Sequence, residues 1–174
     1  MKYLKSKWLF AGIALLLVFV GFYQYLKSQK PLEIQLENFE KSYVYGEYIE
    51  DDWKSDKFKN AFKRADEIAS KREGISTALY YNDPNEEDGL MKAFVGVAFL
   101  EEKENIDYDD LKKIEKQEMI FGKITNDYFE IPQRIYMEME DFAETNALEI
   151  GDYSIEQYFS DTLMHVFMPI SYDE

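Results

Sequence analysis

Few residue types in this chain can do chemistry, and those that can are mostly carboxylates and tyrosines. The 174 residues include 35 Asp and Glu, 14 Tyr, one His and no Cys. A zinc site built from His or Cys needs several such ligands, so the sequence excludes a zinc site of this kind. It also contains no Gly-x-Ser-x-Gly elbow, no Gly-rich phosphate loop and no second histidine for a triad. We therefore predict no cofactor, no metal site and no catalytic residue of these kinds.

Tyrosines and glutamates can instead line a pocket for an aromatic, amphipathic or cationic molecule. Glu156 and Tyr158 lie two residues apart in a segment with strand character, so they share one face of a strand. The predicted ligand-binding residues are Tyr45, Tyr81, Tyr136, Glu156, Tyr158 and His165. We expect Tyr81, Glu156 and Tyr158 to reach one common cavity. Ordinary core packing is the alternative for each tyrosine, and a lone histidine on a strand is more often a packed residue than a ligand.

Hydrophobic periodicity indicates the elements that would position these residues. Two alternating segments predict strands, from residue 33 onward and over 43–49. Between Ser55, a candidate N-cap, and Gly74, apolar residues recur at helical spacing and predict a helix. Strands over 76–82 and 93–100 follow, joined by a turn at Asp83-Pro84-Asn85 and an acidic loop.

The second half of the chain repeats this order of elements. The charged segment 101–116 is interpreted as a connector with at most a short helix over 108–116. After it we predict a strand over 118–125, a helix over 132–145, and strands over 153–159 and 163–170. Two units of strand-helix-strand-strand predict an α+β domain with a sheet whose halves line a cleft.

The N-terminal segment predicts a membrane anchor. Trp8 to Leu26 contains no charged residue, and 19 helical residues just cross a hydrocarbon core of roughly 30 Å. The alternative is a cleaved signal peptide, but bulky Phe22, Tyr23 and Tyr25 stand where a peptidase needs small residues. We predict a basic flank over 1–7, a single span over 8–26, a short linker over 27–31 and a domain over 32–174. Three lysines before the span and two after it favour a cytoplasmic N-terminus with the domain outside.

The charge of the chain limits its partners. Residues after 30 carry 15 basic and 35 acidic side chains, a formal charge of −20. Nucleic acid is therefore not an expected partner, because phosphate backbones need basic surfaces. The acidic surface keeps the domain soluble or, as the alternative, docks a cationic ligand or partner.

Three stretches resemble a known family, the GyrI-like small-molecule-binding domains of the effector-binding-domain superfamily. They are 78–84 leading into 94–97, the helix 135–142, and 155–158 followed by 165–170. The resemblance implies a duplicated strand-helix-strand-strand domain with an antiparallel sheet. The layout with one N-terminal span is similar to membrane-anchored members that act as autophagy receptors of the endoplasmic reticulum. His165 stands where many relatives carry a glutamate that meets cationic ligands, and Glu156 on the neighbouring strand is the candidate substitute.

These observations lead to three functional hypotheses. The first is a membrane-anchored module that binds a small amphipathic or aromatic molecule in a cleft between its halves. The second, implied by the resemblance, is a hydrolase of small electrophilic molecules that uses a pocket Glu and Tyr, and a binding module is favoured over an enzyme. The third is an acidic platform at the membrane for a protein partner that the sequence does not identify.

Overall fold

A computed structural model describes residues 32–81, 90–125, 132–160 and 162–171. The chain divides into two compact units, 1–31 and 32–174, and only the second contains described residues. No helix in these ranges has the length and apolar character needed to cross a bilayer. The predicted flank, span and linker lie outside the described residues, and so does the loop predicted after Asn82.

Eleven elements follow one another in the described ranges. In chain order they are β1 (Glu33–Phe39), β2 (Ser42–Asp51), α1 (Asp56–Arg72), β3 (Ile75–Tyr81), β4 (Met91–Phe99), β5 (Asp110–Ile114), β6 (Gln117–Thr125), α2 (Pro132–Thr145), β7 (Glu149–Ile150), β8 (Tyr153–Ser160) and β9 (Leu163–Ser171). The Ser55 side chain accepts from the Phe58 backbone N–H and caps α1 as predicted. At the other end Glu73 adopts a left-handed conformation, with φ of 56°, and closes the helix.

The strands form one antiparallel sheet in the order β1-β6-β9-β8-β3-β4-β2-β5, and β7 pairs with the end of β9. This order has an internal two-fold pattern, because β2-α1-β3-β4 and β6-α2-β8-β9 repeat the same connections. The strand that precedes each repeat pairs with the first strand of the other repeat, β1 with β6 and β5 with β2. The predicted α+β class and the duplicated, antiparallel arrangement are confirmed.

One sequence prediction is wrong: the segment 108–116 contains a strand instead of a short helix. β5 pairs with β2 from Ser42 to Gly46 and buries Ile114 in the core. Its other residues are mostly charged and partly exposed, which is how proteins protect the free edge of a sheet. The strand therefore carries too little hydrophobic alternation to be recognised, and its pairing with β2 decides its conformation.

The two faces of the sheet are covered differently. Both helices lie on one face, with α1 packed on β2, β3 and β4 and α2 packed on β6 and β9. The other face curls on itself and buries a third cluster that draws residues from the central strands and from both edges. This cluster contains Phe39, Val44, Leu79, Phe94, Ala98, Ile114, Met119, Phe121, Ile155 and Phe167. Alternate residues of each strand therefore belong to different cores.

Gly46 and Gly96 face each other across β2 and β4, where the two strands approach closely. A Cβ added to Gly96 would collide with the Tyr45 carbonyl oxygen, which is backbone and has little freedom to move. We expect Gly96→Ala to lower the free energy of unfolding by about 1–3 kcal/mol in urea denaturation. The control is Gly151→Ala, whose Cβ would lie 3.2 Å from the Pro169 Cβ, so that a shift of a few tenths of an ångström relieves the contact. Equal losses in the two variants would contradict the close approach.

Candidate functional site

The strand alternation of β8 places one carboxylate beneath the helices at the centre of the sheet. Glu156 pairs with Ala78 of β3 on one side and with Val166 of β9 on the other. Ala78 belongs to the core under α1 and Val166 to the core under α2. Glu156 therefore lies at the junction of the two repeats, on the face that the helices cover.

Both carboxylate oxygens of Glu156 accept hydrogen bonds from tyrosines. The Tyr136 hydroxyl of α2 donates to Oε1 at 2.5 Å, and the Tyr158 hydroxyl, two residues along β8, donates to Oε2. The Tyr80 hydroxyl lies 3.3 Å from that of Tyr158, and the Ser154 hydroxyl lies 3.3 Å from that of Tyr136. Each outer hydroxyl can thus donate to a tyrosine that donates to the carboxylate. We call these five residues the Glu156 cluster.

Glu156 is buried without a positive charge beside it. Its side chain is 7% exposed, and within the described residues it forms no ion pair with Lys or Arg. Burial raises the pKa of the Glu156 carboxyl, and the hydrogen bonds from Tyr136 and Tyr158 lower it in part. Burial, with the nearby Glu156 charge, also raises the pKa of Tyr80, Tyr136 and Tyr158, so all three keep their protons at neutral pH.

Aromatic packing covers the Glu156 cluster. The Phe62 ring of α1 meets the Tyr158 ring edge-on at 5.5 Å, and Tyr158 contacts the cores of both repeats. The Ser76 hydroxyl, on the residue that pairs with Tyr158, is buried and has no hydrogen-bond partner in the described residues. A ligand that inserts here would meet an acidic group, a free hydroxyl and aromatic walls. Such a site suits a cation, a hydrogen-bond donor or an acid-base reaction.

The structure brings Tyr136, Glu156 and Tyr158 together and places the other predicted site residues elsewhere. Tyr45 lies on β2, three strand spacings or roughly 14 Å from β8, where its hydroxyl donates to the Lys103 carbonyl. It also accepts from the Lys103 backbone N–H, so it anchors the connector after β4. A role of Tyr45 in binding at the Glu156 cluster would require a ligand that spans half the sheet.

Tyr81 and His165 lie on the face away from the helices. The expectation that Tyr81 shares a cavity with Glu156 is wrong, because Tyr80, one residue earlier, occupies the helix-covered face. His165 packs against the Phe159 and Phe121 rings, with centroids 4.5 Å and 5.0 Å away. Burial and the charge of Lys123 lower the pKa of His165, which favours a neutral packed imidazole. Ligand binding by these two residues stays a prediction.

Sequence reasoning missed two members of the cluster and its cover. Tyr80 was embedded in an apolar strand pattern, and only its cross-strand pairing with Ser154 shows which tyrosine of the pair 80 and 81 faces the helices. Ser154 itself shares a strand face with Glu156, so the alternation alone was a sufficient signal. Phe62 lies on the predicted inner face of α1, where a core role accounts for it equally well.

This arrangement can be compared with known proteins. No protein-family model and no curated protein matches the sequence. Solved structures do match, and the C-terminal domain of EcmrR superposes with a TM-score of 0.63 at 12% identity, over 83% of this chain and 100% of that domain. The chain shares its fold with this domain. The GyrI-like fold predicted from the sequence is therefore confirmed, while so low an identity shows the fold alone.

Two further neighbours have the same fold. One is SAV2435 bound to tetraphenylphosphonium, with a TM-score of 0.54 at 14% identity over 80% of this chain and 94% of that one. The other is a hydrolase from Listeria innocua, with a TM-score of 0.56 at 13% identity over 85% and 97%. EcmrR has also been solved in a complex with DNA. The expectation that the present chain binds no nucleic acid stays a prediction from its charge.

The hydrogen bond from Tyr136 can be tested through the titration of Glu156. Because this bond lowers the pKa of the carboxyl, Tyr136→Phe should raise that pKa and shift the carboxyl ¹³C NMR titration of Glu156 to higher pH. Tyr153→Phe is the matched control, because the Tyr153 hydroxyl accepts from Gln117 and does not contact Glu156. Tyr153 packs against the cluster on the face away from the helices, which we call the opposite core. A titration that moves equally in both variants would refute a direct effect of the Tyr136 hydroxyl.

Proposed function

We propose that this domain binds a small amphipathic or aromatic molecule between its two repeats, with the Glu156 cluster as its recognition site. The observation that carries the proposal is the buried Glu156 carboxyl, which has two tyrosine partners and no cation beside it in the described residues. Burial of a charge without a counter-charge is costly, so a positively charged or hydrogen-bond-donating ligand would regain that free energy. Preferred ligands are lipophilic cations and protonated aromatic amines.

The solved neighbours support this proposal at the level of the fold. SAV2435 binds a lipophilic cation, tetraphenylphosphonium, on the fold that the present chain adopts. The present chain offers an acidic group at the junction of the repeats and aromatic rings around it. These are the groups that attract a cation with apolar substituents, through charge and through the faces of the rings.

Ligand entry in this proposal requires the tyrosines to move. The Tyr158 and Tyr136 hydroxyls occupy both carboxylate oxygens, and Phe62 lies against Tyr158. A bulky ligand would rotate the Tyr158 ring away from Glu156 and separate it from the Phe62 ring. The contact between these two rings, which joins α1 to the strand beneath it, would then be lost. Rotation of two aromatic side chains is a common accommodation at binding sites, where backbone shifts are small.

The test is native mass spectrometry of the full-length chain purified from its own host in lipid nanodiscs. We expect either a co-purifying small molecule or, after incubation with tetraphenylphosphonium, a 1:1 adduct. Binding of neither a host molecule nor any member of a panel of lipophilic cations, aromatic amines and neutral amphiphiles would overturn the proposal. The acidic platform for a protein partner stays a prediction, and its signature would be binding that weakens with salt and survives the loss of Tyr158.

Hydrolysis is the second candidate function, because the buried Glu156 next to a tyrosine hydroxyl can transfer protons. Burial raises the pKa of Glu156, which makes its carboxylate a stronger base than a solvent-exposed one. A neighbour with this fold is a hydrolase. Turnover of an electrophilic substrate with ¹⁸O incorporated from labelled water would support this candidate. Binding of the same compounds without turnover would leave the binding function alone.

We also propose that residues 8–26 anchor the domain in a membrane with the domain outside. The support is the uncharged length of the segment and the lysine distribution around it. Similarity to the autophagy receptors stays a prediction. The chain lacks cysteine, so single cysteines report cleanly on topology. In intact cells an impermeant maleimide should label Glu140→Cys and spare Ser6→Cys, whereas the reverse pattern or extraction at alkaline pH would contradict the anchor or its orientation.

A further inference from the structure

A groove lies on the opposite side of β8 from the Glu156 cluster. It is open to solvent and has a volume of about 180 Å³ at the end of the sheet where β1 turns into β2 and where β4 ends. Its apolar lining includes the rings of Phe39 and Phe167, which meet edge-on with centroids 4.9 Å apart. A cavity of about 150 Å³ is large enough to hold one benzene ring, so this groove accommodates a single aromatic ring.

One polar group that lines this groove is the amide of Gln157. Gln157 follows Glu156 in sequence, so the strand alternation turns it to the other face of the sheet. Its side chain is 8% exposed, lines the groove, and has no hydrogen bond within the described residues. Neither amide atom is among the fully buried, unpartnered polar atoms of the described residues, so the amide reaches solvent in the groove and is available to a ligand there.

The rim of the groove is acidic. Glu37 and Glu40 line it together with Asn38 and Ser42. Glu40 is already paired with Lys116 at 2.7 Å, and the Ser42 hydroxyl donates to the Phe99 carbonyl. Glu37 lies on β1, an edge strand, and contributes a negative charge near the entrance. This charge disfavours anions and tolerates neutral or cationic molecules.

We propose that this groove is a second ligand site, separate from the Glu156 cluster, that takes a monocyclic aromatic amide or amidine. The ring of the ligand packs against the rings of Phe39 and Phe167. The amide group of the ligand pairs with the Gln157 side chain, which offers one acceptor and one donor to it. A carboxylate in place of the amide is excluded, because it would meet the acidic rim and could satisfy only the donor of Gln157.

The test measures benzamide binding to the full-length chain in phosphatidylcholine nanodiscs by ligand-observed NMR. For a molecule of nine heavy atoms we expect a Kd of about 1 mM, and benzoate should bind at least about tenfold more weakly. Gln157→Leu should weaken benzamide binding about 3- to 10-fold, the contribution of a hydrogen bond, and leave toluene binding equal or tighter. The control is Gln35→Leu, the same change on an exposed residue of β1 that does not line the groove.

Two measurements on the unaltered chain make the proposal testable without any variant. Ring protons of benzamide should show NOEs to the Phe39 and Phe167 rings, and benzamide should bind in the presence of saturating tetraphenylphosphonium. NOEs to Tyr158 instead, displacement by tetraphenylphosphonium, or unchanged benzamide binding in Gln157→Leu would each overturn it. The proposal stands on a different face from the proposed function, so it survives if the Glu156 cluster binds nothing.

Discussion

Glu156→Gln is expected to weaken tetraphenylphosphonium binding at least about 30-fold at pH 8, measured by isothermal titration calorimetry. The substitution keeps the size of the side chain and removes its charge, which is the only acidic group of the Glu156 cluster. Loss of one partner from a desolvated charge pair costs about 2–5 kcal/mol, and 2 kcal/mol already corresponds to about 30-fold. The effect should be smaller at low pH, because the protonated carboxyl of the native chain then resembles the amide.

The same substitution is expected to stabilise the ligand-free protein at neutral pH. Because burial raises the pKa of Glu156 in the folded state, the folded protein holds this proton more tightly than the unfolded chain does. The stability from this group is complete below the unfolded value of 4.5 and is lost as the pH rises through the folded pKa. Glu156→Gln removes this loss, so the variant and the native chain should be equally stable near pH 4. The variant should gain about 1–3 kcal/mol at pH 8, in line with the cost of a buried, incompletely compensated polar group.

The control is Glu140→Gln, which removes a negative charge from an exposed position of α2. It should leave both the cation affinity and the pH dependence of stability nearly unchanged. Equal cation affinity in Glu156→Gln and the native chain would show that the carboxyl does not recognise the ligand. Higher stability of the native chain at pH 8 would show that the two tyrosines fully compensate the buried charge.

Local patterns predicted most of the helices and strands. The face on which Tyr81 lies and the conformation of β5 depend instead on pairing between strands that are distant in sequence. The helix over 132–145 and the strand face shared by Glu156 and Tyr158 followed from periodicity within a few residues. The exclusion of Tyr81 from the cluster depends on the register of β3 against β8, two strands more than 70 residues apart in sequence. β5 was missed for the same reason, since β2 determines its strand conformation.

The central strand β8 links these findings. Its even-numbered residues bring a buried acid and its tyrosine under the helices, while its odd-numbered residues bring Ile155 and Gln157 to the opposite face. Polar groups interrupt the core on the helix-covered side, where rearrangement of side chains is part of the proposed binding. The opposite core around Ile155 is nearly all apolar. We therefore attribute the stability of the sheet mainly to the opposite core. The helix-covered side is where side chains rearrange to admit a ligand.

The assignment of stability to the opposite core predicts that Phe94→Ala is among the most destabilising single substitutions in the domain. Phe94 is 2% exposed in the opposite core, and a Cβ on Gly46 would lie 2.9 Å from its Cε1, so the ring fills the space that this glycine leaves. Its deletion should lower the free energy of unfolding by about 3–5 kcal/mol in urea denaturation, from lost burial and from the cavity left behind. Phe159→Ala is the matched control, because that ring is 43% exposed and should cost less than about 1 kcal/mol.

Binding provides the second readout of the same variant. Phe94 faces away from the Glu156 cluster, so the folded fraction of Phe94→Ala should bind tetraphenylphosphonium with nearly native affinity at a temperature below its unfolding transition. A small loss of stability, similar to that of Phe159→Ala, would contradict the assignment of stability to the opposite core. A loss of cation affinity in the folded variant would show instead that the two faces are coupled through the sheet, and the cluster would then depend on packing that it does not contact.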